Sequence, residues 1–205
     1  MPAATPEVLA DLSRLGLLLQ QDKYLPCVVT ILVGGPLATS WWSHPKSHHI
    51  FRVLTEIADH CDVLLTKLLG GKDTLVHRRL WPAFLAVATS GEPWQTRRLS
   101  RAARELLRQT TRGEAPVTSV GAPVRELASR LLVHTAEVHM PGGAHRLTVS
   151  TWPSWTARAG VTPLSSVSDG RAQLEAACHA LGAPLAALPW HTQSRARGAS
   201  GPLSS

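Results

Sequence analysis

Long apolar runs are missing from this sequence, which excludes the usual pattern of a membrane-spanning helix. The longest apolar stretches are LPCVVTILV and FLAVA, far short of the roughly 20 residues that a bilayer span needs. Glu7 and Asp11 interrupt the first apolar run, so we expect no secretory signal either. The sequence therefore predicts a soluble chain that has no membrane partner.

Cysteine is scarce, and its spacing excludes a disulfide framework. Cys27, Cys61 and Cys178 stand far apart, and no C-x-x-C pair occurs. An odd number of cysteines without close pairs suits a reducing compartment. We therefore predict a cytoplasmic location.

The sequence signatures of several enzyme classes are also missing. G-x-S-x-G, the P-loop, G-x-G-x-x-G and paired Cys/His motifs do not occur. We accordingly predict no cofactor, and any catalytic residues have to be sought outside these motifs.

Acidic residues are outnumbered by basic ones. The chain has 14 Asp and Glu against 21 Lys and Arg, a formal net charge of +7. Such a balance favours a polyanionic partner, above all DNA, over the acidic cleft of an enzyme.

What the sequence does contain is a clear apolar periodicity, which predicts an α+β chain that is mainly helical. Thr5 and Pro6 form a helix start signal. Helices are predicted over residues 6–20, 46–60, 80–88, 97–110, 124–132 and 170–182. Residues 27–33 fit either a helix or a buried strand, because the period of so short an apolar run is ambiguous.

Two segments share the same order of features, which predicts an internal repeat. Each has a helix, a hairpin at a glycine pair and then a Trp-Pro pair. The glycine pairs are Gly70-Gly71 and Gly142-Gly143, and the second Trp-Pro pair follows the first by 71 residues. A helical layer with a two-stranded ribbon is the arrangement of a winged helix. We predict two winged-helix-like modules, residues 1–90 and 91–190, followed by a disordered basic tail at 191–205.

Histidines cluster in the stretch SWWSHPKSHHIF at residues 40–51. His44 and His48 are four residues apart, so on one helix face they can bind zinc, with His60 and Cys61 as further ligands. Against zinc, Pro45 begins the helix after His44, and H-E-x-x-H is absent. We therefore predict no metal and interpret the histidines as cap and surface residues.

Trp41 and Trp42 open the same stretch and have two interpretations. They can line a pocket together with His48. Alternatively, one indole fills the crevice between helix and ribbon while the other donates its N–H to a backbone carbonyl.

Basic residues are concentrated on the first predicted hairpin and on the helix predicted at 97–112. The hairpin contributes Lys67, Lys72, Arg78 and Arg79 as predicted phosphate ligands. The alternative is a solvated ribbon with an arginine paired to Asp59, Asp62 or Asp73.

The arginines of the helix at 97–112 are spaced four, three, four and four residues apart. They are Arg97, Arg101, Arg104, Arg108 and Arg112. This spacing places them on one face, opposite Leu99, Ala103 and Leu106, where they can follow a phosphate backbone. The alternative is a solvated amphipathic helix whose arginines pair with acids of another module.

Leu15 to Asp22, with Gln20-Gln21-Asp22 after LGLLL, resembles the catalytic segment of the winged-helix alkyl-base DNA glycosylases. Those enzymes are considerably longer than this chain. The resemblance implies hydrolysis of a glycosidic bond in DNA, with Asp22 orienting the water. His44 and His77 complete the candidate catalytic set. The alternative for Asp22 is a helix C-terminus exposed to solvent.

A second resemblance covers more of the chain. SWWSHP at 40–45, KLLGGK at 67–72 and VHRRLWP at 76–82 resemble segments shared by a family of small uncharacterised microbial proteins. This resemblance implies one coherent fold and no particular mechanism. Three functions therefore stand open: a DNA-binding protein, a DNA-processing enzyme, and a scaffold for a protein partner, with no oligomeric state implied.

Overall fold

Helix α1, Ala4–Leu15, ends well before residue 20, where the leucine periodicity predicts its end. Gly16 adopts a left-handed φ of +84°, and Leu17–Leu19 then form strand β1. Val76, Leu75 and Thr74 pair with these leucines in antiparallel register. The predicted helix over 6–20 is wrong beyond Leu15, because a leucine run is buried equally well in a helix or a strand.

The computed structural model describes residues 4–37, 39–117, 119–139 and 145–191. It is an α+β fold with two three-stranded antiparallel sheets. No helix within these ranges is long and apolar enough to cross a membrane.

The first unit, residues 4–88, has the order helix, strand, helix, helix, strand, strand, helix. After α1 and β1 come α2 (Val28–Val33), α3 (Ser47–Ala58), β2 (Val63–Leu69), β3 (Lys72–His77) and α4 (Trp81–Ala88). Its sheet has the strand order β1-β3-β2. The ambiguous run at 27–33 is a helix, with Cys27 at its N-cap. The hairpin predicted at Gly70-Gly71 is confirmed, and both glycines have the positive φ values, 60° and 69°, that a two-residue turn requires.

The short α5 (Pro93–Thr96) leads into the second unit, residues 101–159. This unit contains α6 (Arg101–Thr110), β4 (Ala115–Val117), α7 (Ala122–Ser129), β5 (His134–His139), β6 (His145–Ser150) and α8 (Trp152–Ala159). Its strand order, β4-β6-β5, matches that of the first sheet. The second predicted hairpin is confirmed as a strand pair, while its turn at Pro141-Gly142-Gly143 lies outside the described residues.

Helix α9, Val167–Ala180, covers the first unit by packing on α4. Gly170 permits this close approach, because a Cβ there would lie 2.7 Å from the carbonyl oxygen of Ala83. The larger core therefore contains residues from both sides of residue 90. The module boundary predicted at that residue stays a prediction. The tail predicted at 191–205 lies outside the described residues, apart from its first residue, His191.

The two Trp-Pro pairs begin α4 and α8, and their aromatic residues meet reciprocally. Trp81 packs edge-on against Trp155 at 5.1 Å between ring centroids, and Phe84 packs in the same way against Trp152 at 4.8 Å. The first aromatic of each helix thus contacts the second aromatic of the other, which is the contact pattern of a two-fold axis. The internal repeat predicted from the sequence is visible in this packing.

Candidate functional site

Asp22 lies in the loop between β1 and α2, and its carboxylate is saturated with hydrogen bonds. It accepts from the backbone N–H groups of Tyr24 at 2.8 Å and Leu25 at 3.0 Å, and it pairs with Lys72 Nζ at 2.6 Å. Burial raises the pKa of this carboxyl, but the Lys72 contact and the two N–H groups outweigh burial and lower the pKa to about 2. So acidic a group is a weak base, and its geometry is that of a charged anchor tying the loop to the hairpin.

A cleft of about 380 Å³ lies beside Asp22. Its lining residues are Gln21, Asp22, Lys23, Val29, Thr30, Leu37, Thr39 and Ser40. Neither His44 nor His77 is among them.

His77 and Asp22 lie at opposite ends of the first sheet. Asp22 pairs with Lys72, the first residue of β3, whereas His77 is the last residue of that strand. At about 3.3 Å per residue, the two ends are roughly 16 Å apart. Burial lowers the pKa of His77, Asp62 opposes this shift and Arg79 adds to it. The structure does not bring Asp22 and His77 into one pocket.

His44, His60 and His77 instead share a local structural role. Nδ1 of each accepts a hydrogen bond from the backbone N–H two residues later, at 3.1, 3.1 and 3.3 Å respectively. This contact imitates an Asx turn, and it assigns the proton of the neutral ring to Nε2. The interpretation of His44 as a local cap fits this geometry.

The zinc ligands considered from the sequence are not brought together. Helix α3 begins at Ser47, so His44 lies outside the helix that carries His48. The helix has 12 residues, about 18 Å at 1.5 Å per residue, and His60 and Cys61 follow its far end.

Three consecutive side chains can hold a metal ion by proximity alone. The donor atoms of His60, Cys61 and Asp62 lie within 4.8 Å of one another. Asp62 already pairs with Arg78 at 3.2 Å, and Nδ1 of His60 already accepts from the Asp62 N–H. A metal would have to displace these contacts, so the cluster is not preorganised as a site. Its sequence signal is the adjacency of the three donors.

The basic ribbon at residues 67–79 carries cations that have partners within the first unit. The ion pairs are Lys67–Asp73 at 2.7 Å, Lys72–Asp22 at 2.6 Å and Arg78–Asp62 at 3.2 Å. The structure shows the alternative interpretation of the ribbon, in which an arginine pairs with Asp62. These charges are largely committed to the fold.

Arg79, the fourth ribbon cation, reaches back to the end of α1. Its Nε donates to the carbonyl of Ser13 at 3.1 Å and its Nη2 to that of Arg14 at 3.3 Å. A Cβ at position 16 would lie 2.6 Å from Nη2, so Gly16 makes room for the guanidinium. Arg79 thereby satisfies the helix carbonyls left free at a C-terminus.

The helix predicted at 97–112 is shorter than expected. Ser100 caps α6, accepting from the N–H of Ala103 at 3.1 Å, so the helix starts at Arg101. Arg97 is the C-cap that follows α5, and Arg112 lies beyond the last residue of α6. The prediction that all five arginines share one helix face is therefore wrong, because the Ser100 cap separates two helices.

The segment nevertheless carries an arginine surface, which we define as the six exposed arginines of residues 97–112. They are Arg97, Arg98, Arg101, Arg104, Arg108 and Arg112. Glu105 is the single acid of this segment, so its formal charge is +5 of the chain's +7. The spacing pattern did not include Arg98, because this residue directly follows Arg97. In the structure Arg98 has a positive φ of 56°.

Among the residues that the structure describes, two of the six arginines of this surface have side-chain partners and four have none. Arg108 pairs with Glu105 at 2.6 Å, and Arg104 Nη1 donates to the carbonyl of Leu99 at 2.6 Å. Arg101 and Arg112 make no hydrogen bond or ion pair through their side chains with the residues that the structure describes. Their guanidinium groups are available to a ligand.

The tryptophan pair divides between core and surface. Trp41 is buried, which confirms that at least one of the two packs internally, whereas Trp42 is 64% exposed. The indole rings stack with centroids 3.9 Å apart. The indole-to-carbonyl hydrogen bond expected here occurs at other tryptophans, from Trp81 to Val76 and from Trp152 to Leu131. His48 is exposed on α3, and the pocket predicted from these three residues stays a prediction.

Comparison with protein-family models, curated proteins and solved structures finds no match for this chain. The two family resemblances therefore stay predictions from the sequence.

Proposed function

We propose that the protein binds nucleic acid through phosphate contacts made by the arginine surface. The observation that carries this proposal is a charge of +5 within 16 residues, on side chains that are exposed and only partly paired. Guanidinium groups bind phosphate through paired N–H donors and release the counterions condensed on the nucleic acid. Phosphate contacts hold a protein on the strand without reading its sequence, so we expect little sequence preference.

The layout of the first unit supports a winged-helix-like module. The order α1-β1-α2-α3-β2-β3, with sheet order β1-β3-β2, places a two-stranded ribbon beside a helical layer. The second unit repeats the strand order with a single helix, α7, between β4 and β5. We propose that both units are variants of this module, and that the arginine surface rather than the ribbon of the first unit meets DNA. The cytoplasmic location stays a prediction.

The test is a fluorescence anisotropy titration of labelled duplex DNA at two salt concentrations. Arg101→Gln/Arg112→Gln removes two unpaired charges from the arginine surface. Lys67→Gln/Lys72→Gln removes the same charge from the paired ribbon and is the matched control. We expect the first variant to weaken binding by about tenfold or more and to lower the slope of log K against log salt by about 2.

The control variant should bind within about threefold of wild type, and far-ultraviolet circular dichroism should confirm that both variants fold. Equal weakening in the two variants would mean that overall charge, rather than the arginine surface, determines binding. Absence of binding at low salt to both duplex and single-stranded DNA would overturn the proposal and leave a protein partner as the occupant of the surface.

A further inference from the structure

Two large aromatic rings lie together on the surface of the first unit. Trp42 is 64% exposed and Phe51 is 52% exposed. Their ring centroids are 6.0 Å apart. Large apolar side chains are ordinarily buried, so an exposed pair in contact marks a surface that interacts with a ligand or partner.

The indole of Trp42 is held in place before any ligand binds. It stacks on the buried Trp41 at 3.9 Å with an angle of 25° between the ring planes. The backbone N–H of Trp42 donates to Oγ of Ser40 at 3.4 Å, and Ser40 is the N-cap of the short 3-10 helix Trp41–Ser43. A ring fixed by its neighbour loses little conformational freedom when a second ring stacks on its open side.

The surroundings of the two rings are polar and basic rather than apolar. His48, Phe51, Arg52 and Thr55 are all exposed, and their spacing places them on one face of α3. Lys46, exposed at the N-cap of α3, donates from Nζ to the carbonyl of Leu32 at 3.3 Å, and Arg52 Nη2 lies 3.2 Å from Nδ1 of His49. Both side chains are exposed and add positive charge. Glu56, the one acid within α3, lies 3.8 Å from Arg52 and also accepts a hydrogen bond from Thr5.

These features match a nucleotide better than an apolar protein surface. The core of a protein interface needs a contiguous apolar area depleted of charge, and two rings bordered by lysine, arginine and histidine do not supply one. A nucleotide combines a flat apolar base with an anionic phosphate. Aromatic rings flanked by cations are the recurring means of binding single strands.

We propose that Trp42 and Phe51 form a stacking platform for an unpaired nucleobase, with Arg52 and Lys46 meeting the adjacent phosphates. The inference rests on the proposed function and names its substrate class as single-stranded or locally unpaired nucleic acid. In a duplex both faces of each base are covered by neighbouring bases, so the platform discriminates against fully paired DNA.

The affinity test compares single-stranded and duplex DNA of one sequence by fluorescence anisotropy. Wild type should bind the single strand more tightly, and Trp42→Ala should weaken single-strand binding by at least about fivefold while leaving duplex binding unchanged. Trp42→Phe, which keeps a ring, should retain most of the affinity. The control is Tyr24→Ala, since Tyr24 is 83% exposed but has no ring contact with another described aromatic residue.

The second readout is position. A single strand containing 5-iodouracil, irradiated in complex with the wild-type protein, should crosslink to Trp42 or Phe51, as mapped by mass spectrometry. Duplex binding that depends on the arginine surface, with no effect of Trp42→Ala and crosslinks elsewhere, would overturn the platform while the proposed function stands. Failure to bind either form of DNA would overturn both. Equal losses in Trp42→Ala and Tyr24→Ala would also count against the platform.

Discussion

In the first unit, the hairpin cations are paired with acids or carbonyls of the same unit, whereas in the second unit Arg101 of α6 and Arg112 beyond its end have no side-chain partner among the described residues. Lys72 is held by the nearly buried Asp22, and Arg79 closes the end of α1. Arg101, on the helix that precedes β4 as α1 precedes β1, has no such partner among the described residues. The same arrangement of strands thus carries positive charge that stabilises the fold in one unit and positive charge that is free for a ligand in the other.

The two units also differ in the size of the hydrophobic core that each contains. The first sheet is buried between α1, α3 and the helices that cover it, and all three residues of β1 are buried. The second sheet covers a small cluster of buried residues, namely Leu99, Ala103, Val124, Leu127, Val133 and Val149. Trp152 belongs to the larger core, so docking onto the first unit contributes much of the stability of the second.

The largest expected effect concerns this docking. Trp152→Ala removes a 1% exposed indole that packs on Phe84 and donates to the carbonyl of Leu131. We expect the free energy of unfolding to fall by about 3–5 kcal/mol in urea denaturation. Phe51→Ala, the exposed control, should change it by less than about 1 kcal/mol. A loss below 1 kcal/mol for Trp152→Ala would mean that the second unit is stable without this contact.

The next effect is pH dependence from the second unit. His134 lies against the rings of Trp152 and Trp155, and its Nδ1 is buried without a partner in the described residues. Burial, with a smaller contribution from Arg158, lowers the pKa of His134 to about 4. In the unfolded chain, His134 has a pKa near 6.5 and is protonated at pH values where the folded chain keeps it neutral. The free energy of unfolding therefore falls as the pH drops from about 6.5 to 4.

The expected loss across that range is about 3 kcal/mol, at 1.36 kcal/mol for each pKa unit. His134→Phe should abolish this part of the pH dependence, as measured by urea denaturation between pH 4 and 8. Asp22 titrates in a separate window, because its stabilisation is lost only as the pH falls from 3.8 towards 2. An unchanged pH profile in His134→Phe would contradict the assignment.

A matched pair of glycines tests the Arg79 contact of the first unit. Gly16 and Gly34 have nearly equal positive φ values, 84° and 87°, but a Cβ would meet Arg79 and Leu80 only at Gly16. Gly34→Ala should cost about 1–2 kcal/mol from backbone strain alone. Gly16→Ala should cost about 1–2 kcal/mol more in thermal or urea unfolding, because Arg79 must leave the α1 carbonyls. Equal costs would show that the Arg79 contact contributes nothing.

The smallest effects come from single cations. Lys72→Gln leaves the Asp22 carboxylate without its ion pair in a 4% exposed position, and Arg79→Gln releases two carbonyls, so each should cost about 1–2 kcal/mol. Arg101→Gln and Arg112→Gln should stay within about 0.5 kcal/mol of wild type. Similar values in all four variants, measured by urea denaturation, would remove the distinction between structural and free cations.

Local chemistry predicted much of the fold correctly. The hairpin at Gly70-Gly71, the helix start at the first Trp-Pro pair and the repeat all depend on residues adjacent in sequence, whereas the helix that begins at Trp152 was not predicted. The candidate site was predicted less well. The spacing of the arginines indicated one helix face, but Ser100 caps a new helix in the middle of the pattern. The hydroxyl of a serine competes well for free N–H groups, and periodicity does not register that competition.

Composition and spacing were enough to place an excess of positive charge near residues 97–112 and to indicate two segments that share the order of helix, hairpin and Trp-Pro pair. Tertiary contacts decided which cations are free, because the partners of Lys72 and Arg79 lie 50 or more residues away in the chain. They also decided that Leu17–Leu19 form a strand and that Trp41 is buried while Trp42 is exposed. In each case the local sequence permits two outcomes of similar free energy, and a residue distant in sequence but close in space selects one of them.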